Sequence, residues 1–316
     1  MYLEKFINKL NPPSYLLGEK SLNLNVRIFE FEKFFLLNLS SAQFSRKVSR
    51  ANLNDYINKL SIELGLPVFA ICSNKKFSDN NKIWYYNSAW GIYEDMNLDL
   101  NIQDFIEIYL EKNFNKKITL EYIFDEQSFS DLSFISGLYS NFKSNNINNI
   151  DLSIYGDQQL IKKNSEKYNL VMPRESIKES KKIQEINLEK YFNSKVLIIH
   201  SDCVDKINQY SIQEMKAILC GVPYIFTTKS NTIEQLREDG FKVQDLLQLE
   251  YKRSEYQDED FFGILKDKIS EINSFQEVDF TDLSQSFKKL SLENILLAKK
   301  LSSNIHNIYK EIESKC

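Results

Sequence analysis

Residues able to do chemistry concentrate in five short segments, each directly after a predicted strand. They are Gly137–Lys143, Gly156–Asp157, Pro173–Arg174, His200–Asp202 and Thr227–Thr232. In a doubly wound α/β sheet, ligands sit beyond the carboxyl ends of the strands, where chain turns and helix N-termini present free amides. His200, Ser201 and Asp202 are consecutive. Consecutive residues on a turn do not aim at one another, whereas a catalytic triad is assembled from separate segments. Two readings remain for this cluster: Ser201 or Asp202 contacts a ligand, or Asp202 caps the segment that follows.

Other chemistries have less to work with. The chain has 316 residues with four cysteines (Cys72, Cys203, Cys220 and Cys316) and two histidines (His200 and His306). No two cysteines are spaced as a zinc pair, and three of them lie in or beside apolar runs, as small core hydrophobes do. The expected compartment is reducing. A net charge of -4 and a pI near 5.5 lack the basic field that duplex DNA demands, so nucleic acid is possible as a partner but not favoured. The basic cluster Arg46, Lys47 and Arg50 reads as a solvated face. No apolar run approaches the length of a membrane span, and the N-terminus, interrupted by Glu4 and Asn8, has no signal-peptide core. The sequence reads as a soluble, cytoplasmic protein.

The elements that must position these residues come in two styles. Up to about residue 130 the pattern is irregular. Helical spacing over Tyr2–Leu10 is followed by a strand or hairpin over Val26–Leu39. A helix follows over Leu53–Leu64, then strands at Pro67–Cys72 and Lys82–Tyr86, a helix at Ile102–Leu110 and a strand at Ile118–Phe124. The polar stretch Asp125–Ser133 reads as the boundary between domains. Beyond it the rhythm is cleaner: a strand and turn at Phe134–Phe142 and strands at Asp151–Tyr155, Tyr168–Met172, Lys195–His200 and Val222–Thr227 alternate with helices at 158–167, 183–192, 212–220 and 232–238. Such alternation predicts parallel pairing through right-handed crossovers, with Ile154, Leu170, Ile198 and Ile225 on neighbouring strands. From about Asp282 apolar residues recur every three or four positions, which predicts a long final helix.

The most distinctive run is Ser211–Ile225 (SIQEMKAILCGVPYI), in which a helix ends at Gly221 and Pro223 opens a buried strand. Together with Asn231–Phe241 (NTIEQLREDGF), Phe134–Lys143 and Asp151–Gly156, it resembles the nucleotide-sugar-binding lobe of phage and bacterial glycosyltransferases of the two-lobed B type. The resemblance covers residues 132 to 275. Its implied fold is α/β: two Rossmann-like lobes facing across a cleft (GT-B-like). Residues 1–130 would be an acceptor-side lobe and 131–281 the donor lobe, with a helix over 282–316 crossing back to the first lobe. The implied reaction moves a sugar from a nucleoside-diphosphate donor to an unknown acceptor. Asp95 and Asp99 belong to an acidic stretch without the context of a DxD-like metal motif, so a metal-independent reaction is expected, with the donor as co-substrate and no other cofactor.

The leaving group in such a transfer is a nucleoside diphosphate, whose developing charge needs cations or helix N-terminal amides. Lys143, Arg174, Lys216 and the amides from Thr228 to Thr232 are the residues that could supply them. Ser201, Asp202 and Thr228 are candidate donor contacts, and Glu234 stands where many such enzymes hold a carboxylate near the sugar; a surface pair with Arg237 is its alternative. The sequence also departs from the family. Lys216 stands near the position where retaining members carry a glutamate, Ile212–Gln213 replaces a Glu-Lys pair, and Lys143 replaces an arginine after the first strand. Two alternatives therefore accompany the transferase reading: an inactive transferase-like scaffold for binding or assembly, and a DNA-base glycosyltransferase.

Overall fold

The computed structural model describes residues 5–7, 27–31, 33–39, 49–72, 75–79, 81–91, 116–123, 129–179, 191–200, 210–227, 232–244, 246–247 and 257–316. These residues form two compact units, one holding the described residues up to Gly91 with 298–316, the other those from 116 to 297. Each unit is built on its own five-stranded sheet.

The first sheet runs in chain order: β1 (Lys5–Ile7), β2 (Arg27–Glu30), β3 (Phe35–Leu39), β4 (Val68–Cys72) and β5 (Ile83–Tyr85). β1–β2 and β2–β3 are antiparallel, and β3–β4 and β4–β5 are parallel. The parallel β3–β4 step needs a crossover, and α1 (Arg50–Leu64) supplies it. Ser49 and Asn52 close a reciprocal cap at its start, and Gly65 ends it in the left-handed region at φ 71°. Alternation along the strands loads both faces. Phe35, Leu37, Val68, Ala70 and Ile83 pack under Leu53, Ile57 and Leu60 of α1. Phe34, Leu36, Phe69, Ile71 and Trp84 pack against Ile308 and Ile312 near the C-terminus. This sheet is mixed rather than Rossmann-like. The helix expected over Tyr2–Leu10 is a strand where it is described, β1 adding to the edge of β2. The helix expected at Ile102–Leu110 lies outside the described residues.

The second sheet is parallel throughout, in the order β10-β9-β6-β7-β8. Its strands are β6 (Lys117–Ile123), β7 (Ile150–Gly156), β8 (Ile177–Glu179), β9 (Ser194–His200) and β10 (Tyr224–Phe226). The helices are α2 (Phe129–Ser144), α3 (Gln158–Lys167), α4 (Ile212–Cys220), α5 (Thr232–Glu238), α6 (Asp258–Ser274) and α7 (Glu277–Lys315). Asp157 caps α3, and a Ser211–Glu214 capping box starts α4. β9 is buried along its whole length, as a strand covered on both faces must be. The chain starts in the middle at β6 and steps outward through β7 to β8. It then returns to the other side of β6 for β9 and β10. That is the doubly wound order, and its reversal lies between β6 and β9.

Three expectations change here. Phe134–Phe142 is not a strand and turn but the body of α2, with Leu132, Ile135, Leu138 and Phe142 all buried at helical spacing. Tyr168–Met172 is not a strand: Asn169 turns the chain at φ 51°, and the edge strand comes later, at Ile177–Glu179. Ile154, Ile198 and Ile225 share the sheet as expected, while Leu170 stands outside it. The strand read at Ile118–Phe124 is β6, the centre of the second sheet, although it precedes the boundary expected near residue 131.

Candidate active site at the strand-order reversal

The reversal brings three polar side chains together at the carboxyl ends of the strands. His200 ends β9, Thr227 follows β10, and Asp131 lies in the first turn of α2, the helix that follows β6. All three are buried, at 2%, 0% and 2% exposure. His200 Nδ1 is 2.9 Å from Thr227 Oγ1, and Nε2 is 3.4 Å from Asp131 Oδ1. The ring stacks on Phe134 at 5.0 Å and 26°, and tilts against Tyr122, its cross-strand neighbour on β6, at 5.2 Å.

The sequence builds this arrangement in stages. Helical spacing in α2 turns Phe134 inward one turn after Asp131, so the carboxylate and the aromatic wall share a face. Gly137 lets α6 close in: a Cβ there would lie 2.9 Å from the Phe262 ring. Phe262 and Phe261 then back Phe134, with ring centroids 5.1 and 6.3 Å away. Thr227 stays in register because its amide donates to the Ile199 carbonyl at 3.0 Å. Nδ1 shares a hydrogen bond with the Thr227 hydroxyl whose direction depends on the tautomer, and Nε2 lies beside the Asp131 carboxylate as a charge contact.

On the opposite face of the sheet lies a second buried polar group. Glu121 of β6 is fully buried and accepts the Tyr191 hydroxyl at 2.9 Å. Burial first, then this carboxylate, pushes the Tyr191 phenol well above its ordinary range. The same two causes push Tyr155 up to about 12. Burial drives the Cys220 thiol far up as well, with Lys216 drawing it down and Glu121 pushing it up. Such a thiol stays protonated and unreactive.

The nominated residues distribute unevenly. Lys143 is in the last turn of α2, exposed, with Nζ 5.6 Å from the Tyr139 ring centroid. Because Phe134–Phe142 is a helix running back from the carboxyl ends, its final turn lies at the other end of the sheet, and Lys143 does not follow a strand. Arg174 opens the tight helical turn Arg174–Ser176 that leads into β8, so it precedes a strand instead of ending one. Lys216 sits in α4 and is 2% exposed, so it faces the interior near Cys220 and is not presented to a ligand. Glu214, close to it in sequence, is occupied in the α4 cap, accepting the Ser211 amide. Glu234 lies in the first turn of α5. Its expected pairing partner Arg237 instead donates to the Val243 carbonyl at 3.0 Å. Ser201, Asp202 and Thr228 lie outside the described residues; in the chain, Ser201–Asp202 follow His200 and Thr228 follows Thr227.

Sequence reasoning placed His200 in a candidate segment and set aside its chain neighbours as partners, but named no partner from a separate segment. It missed Asp131. The signal was available: one acidic residue immediately before the apolar series Leu132, Ile135, Leu138 and Phe142 marks a helix N-terminus.

No family model matches the chain, and comparison with curated proteins gives no match. Among solved structures, the chain is similar to a glycosyltransferase from Rickettsia africae, with 16% identity and a TM-score of 0.41 over 83% of this chain and 67% of that one. It is also similar to the wall teichoic acid polymerase TagF, with 13% identity and a TM-score of 0.32 over 83% of this chain and 62% of the polymerase. The chain thus spans about two thirds of the length of the structures it matches.

Proposed function

We propose that the second unit binds the diphosphate of a nucleotide sugar at the β6–β9 reversal, and that the protein transfers the sugar to an acceptor. The observation that carries this reading is the reversal itself. An all-parallel β10-β9-β6-β7-β8 sheet opens a crevice between its first strand and the strand that doubles back, at the end where Asp131, His200 and Thr227 converge. The resemblance of Ser211–Ile225 and Asn231–Phe241 to donor-lobe segments points the same way. In this reading Ser201, Asp202 and Thr228, which continue the chain from β9 and β10, meet the donor. Glu234 accepts a sugar or ribose hydroxyl.

A second reading is a scaffold of the same fold that binds without catalysis. The placement of the cations favours it: Lys143 and Arg174 do not follow strand ends, and Lys216 is interior. A diphosphate leaving group would then lack three of the charges nominated to stabilise it.

The deciding experiment is thermal shift, followed by calorimetric titration, with uridine, guanosine and adenosine diphosphates and their sugars. A ligand that binds only the folded state raises the melting temperature. Binding by at least one of the panel, with release of free diphosphate when acceptors are supplied, supports transfer. Binding without turnover supports the scaffold. No binding by any member overturns the donor-site reading.

A further inference from the structure

We infer that Gln213 reads the uncharged half of the donor: its side-chain amide donates a hydrogen bond to a hydroxyl or carbonyl oxygen of a nucleotide sugar held at the β6–β9 reversal. This rests on the donor-site reading and adds to it a residue on the other face of the sheet.

Two helices leave the carboxyl ends that flank the reversal: α2 follows β6 and α4 follows β9. α2 covers the face that carries Tyr122 and His200, where Asp131 in its first turn comes within 3.4 Å of the ring. α4 covers the other face. Gln213, Lys216 and Cys220 recur three and four residues apart and so form one stripe of this helix. Lys216 and Glu121 both act on the Cys220 thiol, which turns that stripe toward the Glu121 side of β6. Gln213 is the member of the stripe in the first turn of α4, at the rim formed by the carboxyl ends. It lies just beneath the surface, 3% exposed beside Ile212 at 38%. Gln213 and Asp131 therefore bound the same crevice from opposite faces.

The Gln213 side chain is polar and buried, and its Nε2 meets no acceptor among the protein's own atoms. A donor buried in that way keeps the full cost of leaving water, which an apolar side chain of the same shape avoids. Met215 and Leu219 of the same helix show the apolar solution, each fully buried. A carboxamide in place of such a side chain is explained by an acceptor that arrives with a ligand. That acceptor is uncharged, because the helix start is already served. Glu214 accepts the Ser211 amide at 2.6 Å, which sets a carboxylate against the positive end of α4. A phosphate brought to the same turn meets that charge, whereas a hydroxyl or carbonyl oxygen does not, and either accepts an amide N–H.

Gln213→Met keeps the length of the side chain and removes the donor. Melting of the ligand-free proteins, followed by circular dichroism, is the first readout. The variant is expected to melt about 2–4 °C above wild type. A melting temperature at or below that of wild type overturns the inference, since the amide then has a partner in the folded protein. Calorimetry with nucleoside diphosphates, their sugars and inorganic pyrophosphate is the second readout. The variant is expected to bind the nucleotide sugar about tenfold more weakly than wild type, with pyrophosphate unaffected. A matching loss with the parent nucleoside diphosphate puts the oxygen in the nucleoside; a loss confined to the nucleotide sugar puts it in the sugar. Equal binding by variant and wild type, or an equal loss with pyrophosphate, overturns the contact and leaves the donor site in place. If wild type binds none of these ligands, the donor-site reading falls and this inference falls with it.

Discussion

Gly221 and Gly65 make a matched pair whose comparison tests how the G-x-P segment is held. Both end helices in the left-handed region, at φ 67° and 71°. An alanine at either position meets the same backbone penalty, about 1–2 kcal/mol, offset in part by lower unfolded-state entropy. They differ in their surroundings. A Cβ on Gly65 meets nothing within 4 Å, whereas one on Gly221 lies 3.1 Å from Lys288 Cα and 3.1 Å from Ser291 Cβ. Neither neighbour can move cheaply. Ser291 donates to the Leu219 carbonyl, and Asn294 clamps the Lys242 backbone, accepting its amide at 2.7 Å and donating to its carbonyl at 2.8 Å. Overpacking against such a fixed helix adds about 1–3 kcal/mol. Gly65→Ala should therefore cost about 1 kcal/mol and Gly221→Ala about 2–4 kcal/mol. Urea unfolding measures both. The chain's two tryptophans, Trp84 and Trp90, lie in the first unit, so fluorescence follows Gly65→Ala. Amide exchange along β6 and β9 follows Gly221→Ala. Equal costs for the two substitutions would refute the claim that Gly221 is required by close approach to α7.

Tyr191→Phe should destabilise the second unit by about 1–3 kcal/mol, because it removes a donor from a fully buried carboxylate; a variant as stable as wild type would mean Glu121 is not ionised. Asp79 accepts the amides of Asn81, Lys82 and Ile83 at 2.9, 2.8 and 3.0 Å, and the Asn54 side chain. Burial pushes its pKa up, yet these hydrogen bonds outweigh burial and hold it below 3.8. Its contribution is therefore present above about pH 4 and lost as pH falls through the folded value. Asp79→Asn should flatten that slope in tryptophan-detected unfolding, and an unchanged slope would count against it. Burial, then the charge of Lys116, lowers Lys288 from 10.5 to about 8. Between those values the unfolded chain holds more protons than the folded one, so stability rises with pH. Lys288→Met should remove this rise and stabilise the protein below pH 8, read as the shift in urea midpoint between variant and wild type.

Legibility followed the physics of each element. β9 and α4 were readable because a continuous apolar run and a Ser211–Glu214 box are local signals. α2 was misread because its first turn falls in a polar stretch that looks like a linker, and its aromatic density looks like a strand. β8 was invisible because a three-residue edge strand, Ile-Lys-Glu, carries no period. The site suffered from the misreading of α2. Once α2 is a helix, Asp131 becomes its N-terminal acid and Lys143 its far end. No local pattern relates Asp131, His200 and Thr227, since only the strand order makes them neighbours. Lys216 shows the converse: a lysine near a distinctive motif looks available, and burial among Glu121 and Cys220 is a property of packing alone.

The division of α7 has a consequence for how the chain is made. This one helix belongs to the second unit as far as Leu297 and to the first from Ala298 onward. One face of the first sheet, with Phe34, Leu36, Phe69, Ile71 and Trp84, is covered by Ile308 and Ile312. On the ribosome, that apolar face is complete once Trp84 has emerged, but its cover is the better part of the chain away. At about 5–20 residues per second, the stretch from residue 91 to Ile308 takes on the order of ten to forty seconds to synthesise. Throughout that interval the face lacks Ile308 and Ile312, and the second unit can fold ahead of it. The N-terminal unit is thus the last to be finished, and in the nascent chain it is the segment most exposed to aggregation and most in need of chaperones.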